Sequence, residues 1–149
     1  LIDRGIRPAG SRAMEMIRVR AGEARWPRDG REKTLIHVLG LEAQVCAFDK
    51  GCYVGQEVIN RVDVKGAINK RITGMRFSTA NPPPVPSPVI HDGKEIGRLT
   101  SLVAMGDAFL GLGILRKTAW EPGTAIVVIG DEEEWCGVTV SLPVQDGVV

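Results

Sequence analysis

The spacing of apolar and polar residues changes near Lys70, and the change divides the chain into two parts. From Lys70 onward, apolar and polar positions alternate with a period of two, which is typical of β-strands. Asp92-Gly93 fits a two-residue hairpin turn, and the five prolines in residues 82–88 predict an irregular crossing between strands. Strands are predicted at 70–77, 89–90, 95–100, 108–114, 125–129 and 134–142. Short strands with turns at this spacing predict a small antiparallel β-barrel over residues 70–142.

Before Lys70 the pattern is that of helices and loops. Ser11 is a candidate N-cap for a first helix, and Gly22 is its predicted stop. The predicted apolar positions of this helix are Ala13, Met14, Met16 and Ile17, and the predicted solvent-facing positions are Arg12, Glu15 and Arg18. Because the next thirty residues offer no evident partner, we expect the last helix of a domain that begins outside the chain.

Length and composition exclude several classes of protein. The chain has 149 residues, enough for one ordinary domain or two small ones, and 44% apolar with 25% charged residues excludes intrinsic disorder. No apolar run approaches the roughly 20 residues of a membrane span, and no signal peptide is visible. The net charge is +1, with the excess of positive charge in residues 1–34 and of negative charge in residues 131–149. Since a nucleic-acid binder usually has a clearly basic domain, we expect neither nucleic acid nor a membrane as partner.

Three cysteines and two histidines are the residues that could bind a metal. Cys46, Cys52 and Cys136 form no CxxC pair, and their odd number is typical of a reduced, cytoplasmic chain without disulfides. No metal site is therefore expected. Cys46 and Cys136 are expected to pack in apolar, strand-like surroundings, shielded from solvent. His37 is expected in the core or at a strand edge, and His91 in a solvated hairpin turn.

Cys52 carries the strongest candidate chemistry. The segment Lys50-Gly51-Cys52 is predicted to form the turn that enters a second helix, which ends at Lys65-Gly66. In that helix Val54, Val58 and Val62 recur at i, i+4 and i+8, a spacing that predicts a buried stripe. The N–H groups of a helix start and a nearby lysine would favour the reactive thiolate. The alternative is that Cys52 only packs at the helix start, as most cysteines do.

The segment around Cys52 also carries a family motif. Residues 50–57, Lys50-Gly51-Cys52-Tyr53-Val54-Gly55-Gln56-Glu57, match K-G-C-Y-x-G-Q-E at every fixed position. The chain thereby resembles the YgfZ-like folate-binding proteins, relatives of the glycine-cleavage T-protein (aminomethyltransferase). Residues 8–22 resemble the helix that ends the family's folate-binding core, and residues 69–71 and 97–101 resemble the opening strands of its C-terminal barrel. The resemblance extends over nearly the whole chain but over half or less of a complete family member.

The resemblance implies an α+β fold with two parts. Residues 1–68 would be the C-terminal remnant of a GcvT-like folate-binding core, and residues 69–149 a small antiparallel β-barrel. It also implies tetrahydrofolate as cofactor and, as partners, iron–sulfur proteins or their assembly machinery. By position, Cys52 takes the role of the family's essential cysteine. Its motif neighbours, as candidates for ligand binding, are Lys50, Gly51, Tyr53, Gly55, Gln56 and Glu57, joined by Arg18 and Arg20 from the first helix.

Two departures from the related aminomethyltransferases bear on function. Those enzymes carry a pterin-binding Glu in an R-x-E-A-G pattern, where this chain has Arg20, and they generally lack the K-G-C-Y motif. Both points favour the YgfZ-like branch. The subdomain that would complete a folate channel also lies outside the chain, so the missing N-terminal half of the same protein is an expected partner.

Three hypotheses follow. The first is a YgfZ-like tetrahydrofolate-binding accessory protein that supports iron–sulfur cluster assembly or repair. The second is a folate-dependent aminomethyltransferase, and the third is a non-catalytic docking fragment. The resemblance leaves open whether the chain is an enzyme, with a folate-dependent transferase-like activity as the candidate reaction.

Overall fold

The computed structural model describes residues 4–5, 7–47, 49–66 and 68–145, and in this part the strands form one closed antiparallel barrel. The strands are β1 (Lys70–Phe77), β2 (Ser87–His91), β3 (Lys94–Met105), β4 (Ala108–Arg116), β5 (Ala125–Ile129) and β6 (Glu134–Val140). Around the barrel their order is β1-β4-β3-β2-β5-β6, and β6 pairs with β1 to close it. The predicted α+β class with a small antiparallel barrel is confirmed.

The helices lie almost entirely before the barrel. They are α1 (Ser11–Ala21), α2 (Glu42–Val45) and α3 (Gln56–Lys65), with single 3-10 turns at Ile36–Leu39 and Lys117–Ala119. The predicted stop of α1 is confirmed, because Gly22 adopts the left-handed conformation with φ 78°. The N-cap position is Gly10, so Ser11 is the first helical residue and not the predicted cap. None of the described helices has the length and apolar character that a membrane span requires.

Alternation along the strands places apolar side chains on both faces of the barrel wall. The interior cluster includes Met75 and Phe77 of β1, which lie against residues from the other strands. On the opposite face, Ile72 of β1 and Leu110 and Leu112 of β4 form a second cluster with Val19 of α1, which is fully buried. Helix α1 therefore packs directly on the outside of the barrel, and its partners lie beyond the thirty residues that follow it.

Strands β2, β3 and β4 are longer than the sequence pattern predicts, and β6 ends at Val140, two residues earlier than predicted. Strand β2 begins at Ser87, inside the proline-rich segment, and β3 continues to Met105, where it still pairs with Ala108 of β4. The extension of β3 is stabilised by its partner strand, which propensity along a single strand does not reveal. The predicted hairpin turn is confirmed, because Asp92 and Gly93 both have positive φ, 49° and 71°, as a two-residue hairpin of this type requires.

The predicted apolar face of α1 is wrong. Met14 and Ile17 are each 62% exposed, whereas Glu15 and Arg18, predicted to face solvent, are half-buried. A charged pair can occupy the packed side of a helix when its hydrogen bonds are satisfied there. The partners that satisfy them are described with the site.

The buried stripe predicted for the helix after Cys52, which is α3 in the structure, is also wrong. Val54 precedes α3 and is fully exposed, and Val58 is 53% exposed. No residue of α3 whose side chain is described is buried. The spacing is helical, but no described element covers this face of α3. The helix therefore presents apolar side chains to solvent.

Candidate functional site

The motif residues form a loop that precedes α3. The helix begins at Gln56, and its N-cap residue Gly55 has φ 89°, a left-handed conformation that glycine adopts without strain. Cys52 therefore lies in the loop, four residues before the helix, and not in a turn that leads directly into the helix as predicted. The thiol of Cys52 is free and its residue is exposed. The loop thus presents a single accessible thiol.

Lys50 and Tyr53 flank the thiol and contact each other. The Lys50 ammonium nitrogen lies 5.2 Å from the centroid of the Tyr53 ring, within the range of a cation–π interaction. The hydroxyl of Tyr53 is buried, and no described residue hydrogen-bonds to it. A buried hydroxyl without a partner costs about 1–3 kcal/mol. The Tyr53 hydroxyl is therefore a position where a further polar group would be stabilising.

The remaining motif residues line open surface. Gln56 and Glu57 border a depression of about 550 Å³ together with Asn60 and Arg61. At Gly51 the space around the Cβ position is empty within 4 Å. The loop therefore has room for an approaching molecule on this side of α3, but the described residues do not enclose one.

The other two cysteines differ in exposure. Cys136 is exposed on β6, because the side chains of Glu134, Cys136 and Val138 point outward in alternation. The prediction that Cys136 is shielded is wrong. Cys46 is half-buried after α2. In the part of the chain that the structure describes, no group of three or more His, Cys, Asp or Glu side chains is placed to hold a metal ion.

The two histidines are structural. His37 is buried in the first 3-10 turn, and neither ring nitrogen has a hydrogen-bond partner among the described residues. The prediction of a core histidine is confirmed. His91 is half-buried, and its Nδ1 lies 2.8 Å from the Ala125 carbonyl oxygen, so it is not the freely solvated residue that was predicted.

Arg18, a predicted ligand-binding candidate, is occupied within the fold. Its guanidinium donates to both carboxylate oxygens of Glu15 at 2.7 and 3.0 Å, to Asp29 at 2.8 Å and to the Ser101 hydroxyl at 2.7 Å. Burial acts to lower the pKa of Arg18, but the hydrogen bond with Glu15 and the charge of Asp29 outweigh it and raise that pKa. The hydrogen bond from Arg18 lowers the pKa of Glu15 in turn. Arg18 therefore joins α1 to the barrel, and none of these partners belongs to the motif loop.

Asp29 is the residue of this network that sequence reasoning missed. Its carboxylate is buried, and it accepts hydrogen bonds from Arg18, from the Arg25 backbone N–H at 2.9 Å, and from the hydroxyls of Thr100 and Ser101. The Asp29 carboxylate thus connects the loop after α1 to β3. No local signal marks Asp29, because it is one polar residue in a turn-rich loop.

Arg20 lies on α1 and is half-buried. Its backbone carbonyl accepts a hydrogen bond of 2.8 Å from the Val144 N–H, which ties α1 to the segment after β6. Glu23 also uses its carbonyl oxygen to accept from Arg18. The C-terminal end of α1 is therefore tied to the segment that follows β6.

The described motif residues do not form an enclosed site for tetrahydrofolate. The depression beside Gln56 and Glu57 is open to solvent and no residue of α1 lines it, while Arg18 is fully engaged in ion pairs. A ligand of that size is normally enclosed over most of its surface. Folate binding by these residues would need further protein surface.

Comparison with known proteins gives distant but consistent similarities. No protein-family model matches the chain. The chain is 31% identical over 145 residues to the chloroplastic transferase-like protein At1g60990 of Arabidopsis thaliana, covering 96% of the chain and 32% of that protein. It is 26% identical over 98 residues to an aminomethyltransferase of Synechocystis, covering 66% of the chain and 26% of the enzyme.

A third relative is an iron-sulfur cluster assembly factor. The mitochondrial IBA57 homolog of Mycosarcoma maydis is 49% identical over 45 residues, which cover 30% of the chain and 11% of that protein. Among solved structures, the glycine cleavage system aminomethyltransferase T from Bartonella henselae matches with a TM-score of 0.75 at 19% identity. The match covers 88% of the chain and 37% of the enzyme, and it shows a common fold.

The chain spans about a third or less of the length of the curated relatives it matches. The similarities together support a relationship to the GcvT-like aminomethyltransferase superfamily.

Proposed function

We propose that the chain is the C-terminal part of a YgfZ-like, tetrahydrofolate-binding accessory protein that supports iron–sulfur cluster assembly or repair, with Cys52 as its reactive residue. The observation that carries the proposal is the exposed, free thiol of Cys52 on a loop that holds the complete motif. The similarity to an iron-sulfur cluster assembly factor homolog supports the functional class. Its partners would be iron–sulfur proteins or their assembly machinery.

The geometry limits what Cys52 can do alone. An exposed thiol can act as a nucleophile, as a redox group or as a transient metal ligand. Because no described cluster of His, Cys, Asp or Glu accompanies it, a metal bound at Cys52 would take its other ligands from a partner. Lys50, two residues before Cys52 in the motif, holds its ammonium group over the Tyr53 ring.

The exposed apolar side chains of the helices favour a partner surface that belongs to the same, longer protein. Met14 and Ile17 of α1 and Val58 and Val64 of α3 are exposed apolar side chains. Residues 1–68 are proposed as the remnant of a folate-binding core whose N-terminal half packs on such surfaces, and residues 69–149 as the barrel domain. The free cysteines are typical of a reducing compartment, and we propose that the protein is located in the cytoplasm.

A folate-dependent aminomethyltransferase is the second candidate. The similarity to the Synechocystis enzyme favours it. Arg20 argues against it, because the carboxylate expected to hold the pterin in such an enzyme is replaced by a cation. A substitution of Cys52 distinguishes the two candidate functions, because the aminomethyltransferases generally lack this cysteine motif. Loss of function in that variant favours the YgfZ-like role.

The substitution Cys52→Ser in the full-length protein is expected to abolish its ability to restore iron–sulfur enzyme activity in cells that lack the gene. Serine keeps the shape of the side chain and removes the thiol, so the fold should be unchanged. The matched control is Cys136→Ser, which removes the other exposed, free thiol and should restore activity like the unmodified protein. Full activity with Cys52→Ser, or equal loss with Cys136→Ser, would contradict the proposal.

The 149-residue chain alone is expected to show no saturable binding of a reduced folate at micromolar concentrations. The described motif residues line an open depression, and an open surface recovers little of the contact that a small ligand needs. Isothermal titration calorimetry measures this directly. Micromolar affinity would show that a complete site lies within these residues and would overturn the half-site proposal.

A further inference from the structure

A second cavity lies beside the loop that follows α1, and several basic residues line it. It has a volume of about 710 Å³ and lies between the loop after α1 and the strands β1, β3 and β4. Arg28 and Arg31 from the loop, Lys70 at the start of β1 and Arg98 of β3 line it. Three separate segments of the chain thus each bring a cation to one cavity.

Three of these cations have no ion-pair partner in the described part of the chain. Arg28 pairs with Glu15 at 3.0 Å. Arg31, Lys70 and Arg98 are exposed, and no described carboxylate lies within ion-pair distance of them.

Two acidic residues also line the cavity. Asp29 is engaged with Arg18 at 2.8 Å, whereas Glu95 forms no ion pair with a described residue and offsets one of the three unpaired positive charges. The cavity therefore has an excess of positive charge, and like charges around one space repel each other. A bound anion would remove that repulsion.

The wall of the cavity is partly apolar. Val85, Leu102 and Ile114 also line it. A binding site for a small molecule typically combines such a wall with a few polar groups that fix orientation. Arginine side chains suit carboxylates and phosphates, because their planar donors bind two oxygens at once.

We infer that this cavity binds a small ligand with two or more negative charges, carried by carboxylate or phosphate groups. The three unpaired cations and the negative charge of Glu95 leave an excess of two positive charges for such a ligand, and the apolar residues of the lining accommodate its backbone. None of the lining residues belongs to the motif loop, so the inference stands apart from the proposed function.

The test is a calorimetric titration of the 149-residue chain with triglutamate and, separately, with tripolyphosphate. Saturable binding of either anion, weakened by added salt, is expected. A preference for triglutamate identifies a carboxylate ligand, and a preference for tripolyphosphate a phosphate ligand. The substitution Arg98→Gln should weaken binding about tenfold, the loss of one charge-assisted contact. Glu95→Gln should strengthen it, because it removes a negative charge from the lining.

The control is Arg12→Gln, which removes the same charge from an exposed residue of α1 that does not line the cavity. It should leave affinity unchanged. Equal weakening by Arg12→Gln and Arg98→Gln would mean that only net charge matters and would overturn the inference. Absence of saturable binding by both anions, with each variant melting like the unmodified chain, would overturn it as well.

Discussion

Replacing Asp29 with alanine is expected to lower the free energy of unfolding by about 3–5 kcal/mol, the cost of breaking a buried ion pair by removing one partner. The substitution leaves the half-buried Arg18 without its buried counter-ion and removes the acceptor of the Thr100 and Ser101 hydroxyls. Because these contacts join α1, its following loop and β3, the whole interface should weaken. Urea denaturation followed by circular dichroism measures the change.

The control for this substitution is Asp131→Ala, an exposed acid in the turn before β6, which should change stability by less than about 0.5 kcal/mol. The double variant Asp29→Ala with Arg18→Ala should lose less than the sum of the two single variants, because both remove the same interaction. A loss below about 1 kcal/mol for Asp29→Ala would show that solvent replaces the carboxylate and that the network is not needed for stability.

The barrel was largely predictable because its signals are local. The alternation in residues 70–77 and 125–129 gave the bounds of β1 and β5, and the Asp92-Gly93 turn gave the β2–β3 hairpin. Each strand has one face toward the interior cluster, so the period of two is imposed on the sequence wherever a strand lines the barrel. The signal that ends α1, the glycine at position 22, is also local.

The orientation of α1 could not be predicted from such signals. Met14 and Ile17 have the hydropathy of a buried face, yet they are exposed, and Arg18 is the side chain that contacts β3. What decides between the two faces is Asp29 in the next loop and Ser101 on β3, which is 83 residues from Arg18. A helical pattern contains no information about so distant an acceptor.

The structure of the motif loop was also only partly predictable from the sequence. The sequence identified Cys52 and its neighbours through the motif, and the structure places the thiol on accessible surface. The sequence did not indicate that α3 begins only at Gln56, because the start of the helix depends on the left-handed conformation of Gly55. The exposure of Val54 and Val58 depends in turn on which surfaces cover α3.

The substitution Gly113→Ala is expected to destabilise the barrel by about 3 kcal/mol or more, at the upper end of overpacking effects. A Cβ at this position of β4 would lie 2.0 Å from the Arg98 carbonyl oxygen and 2.8 Å from the Met75 side chain. The methionine can move, but the carbonyl is part of β3, which pairs with β4 across Leu99 and Gly113. Relief would require the two strands to separate, so thermal unfolding should show a lower midpoint. Gly51→Ala is the matched control, because its Cβ would meet no atom within 4 Å and its φ lies outside the left-handed region. Equal stability of the two variants would mean that β3 and β4 separate easily and that the barrel is not tightly closed there.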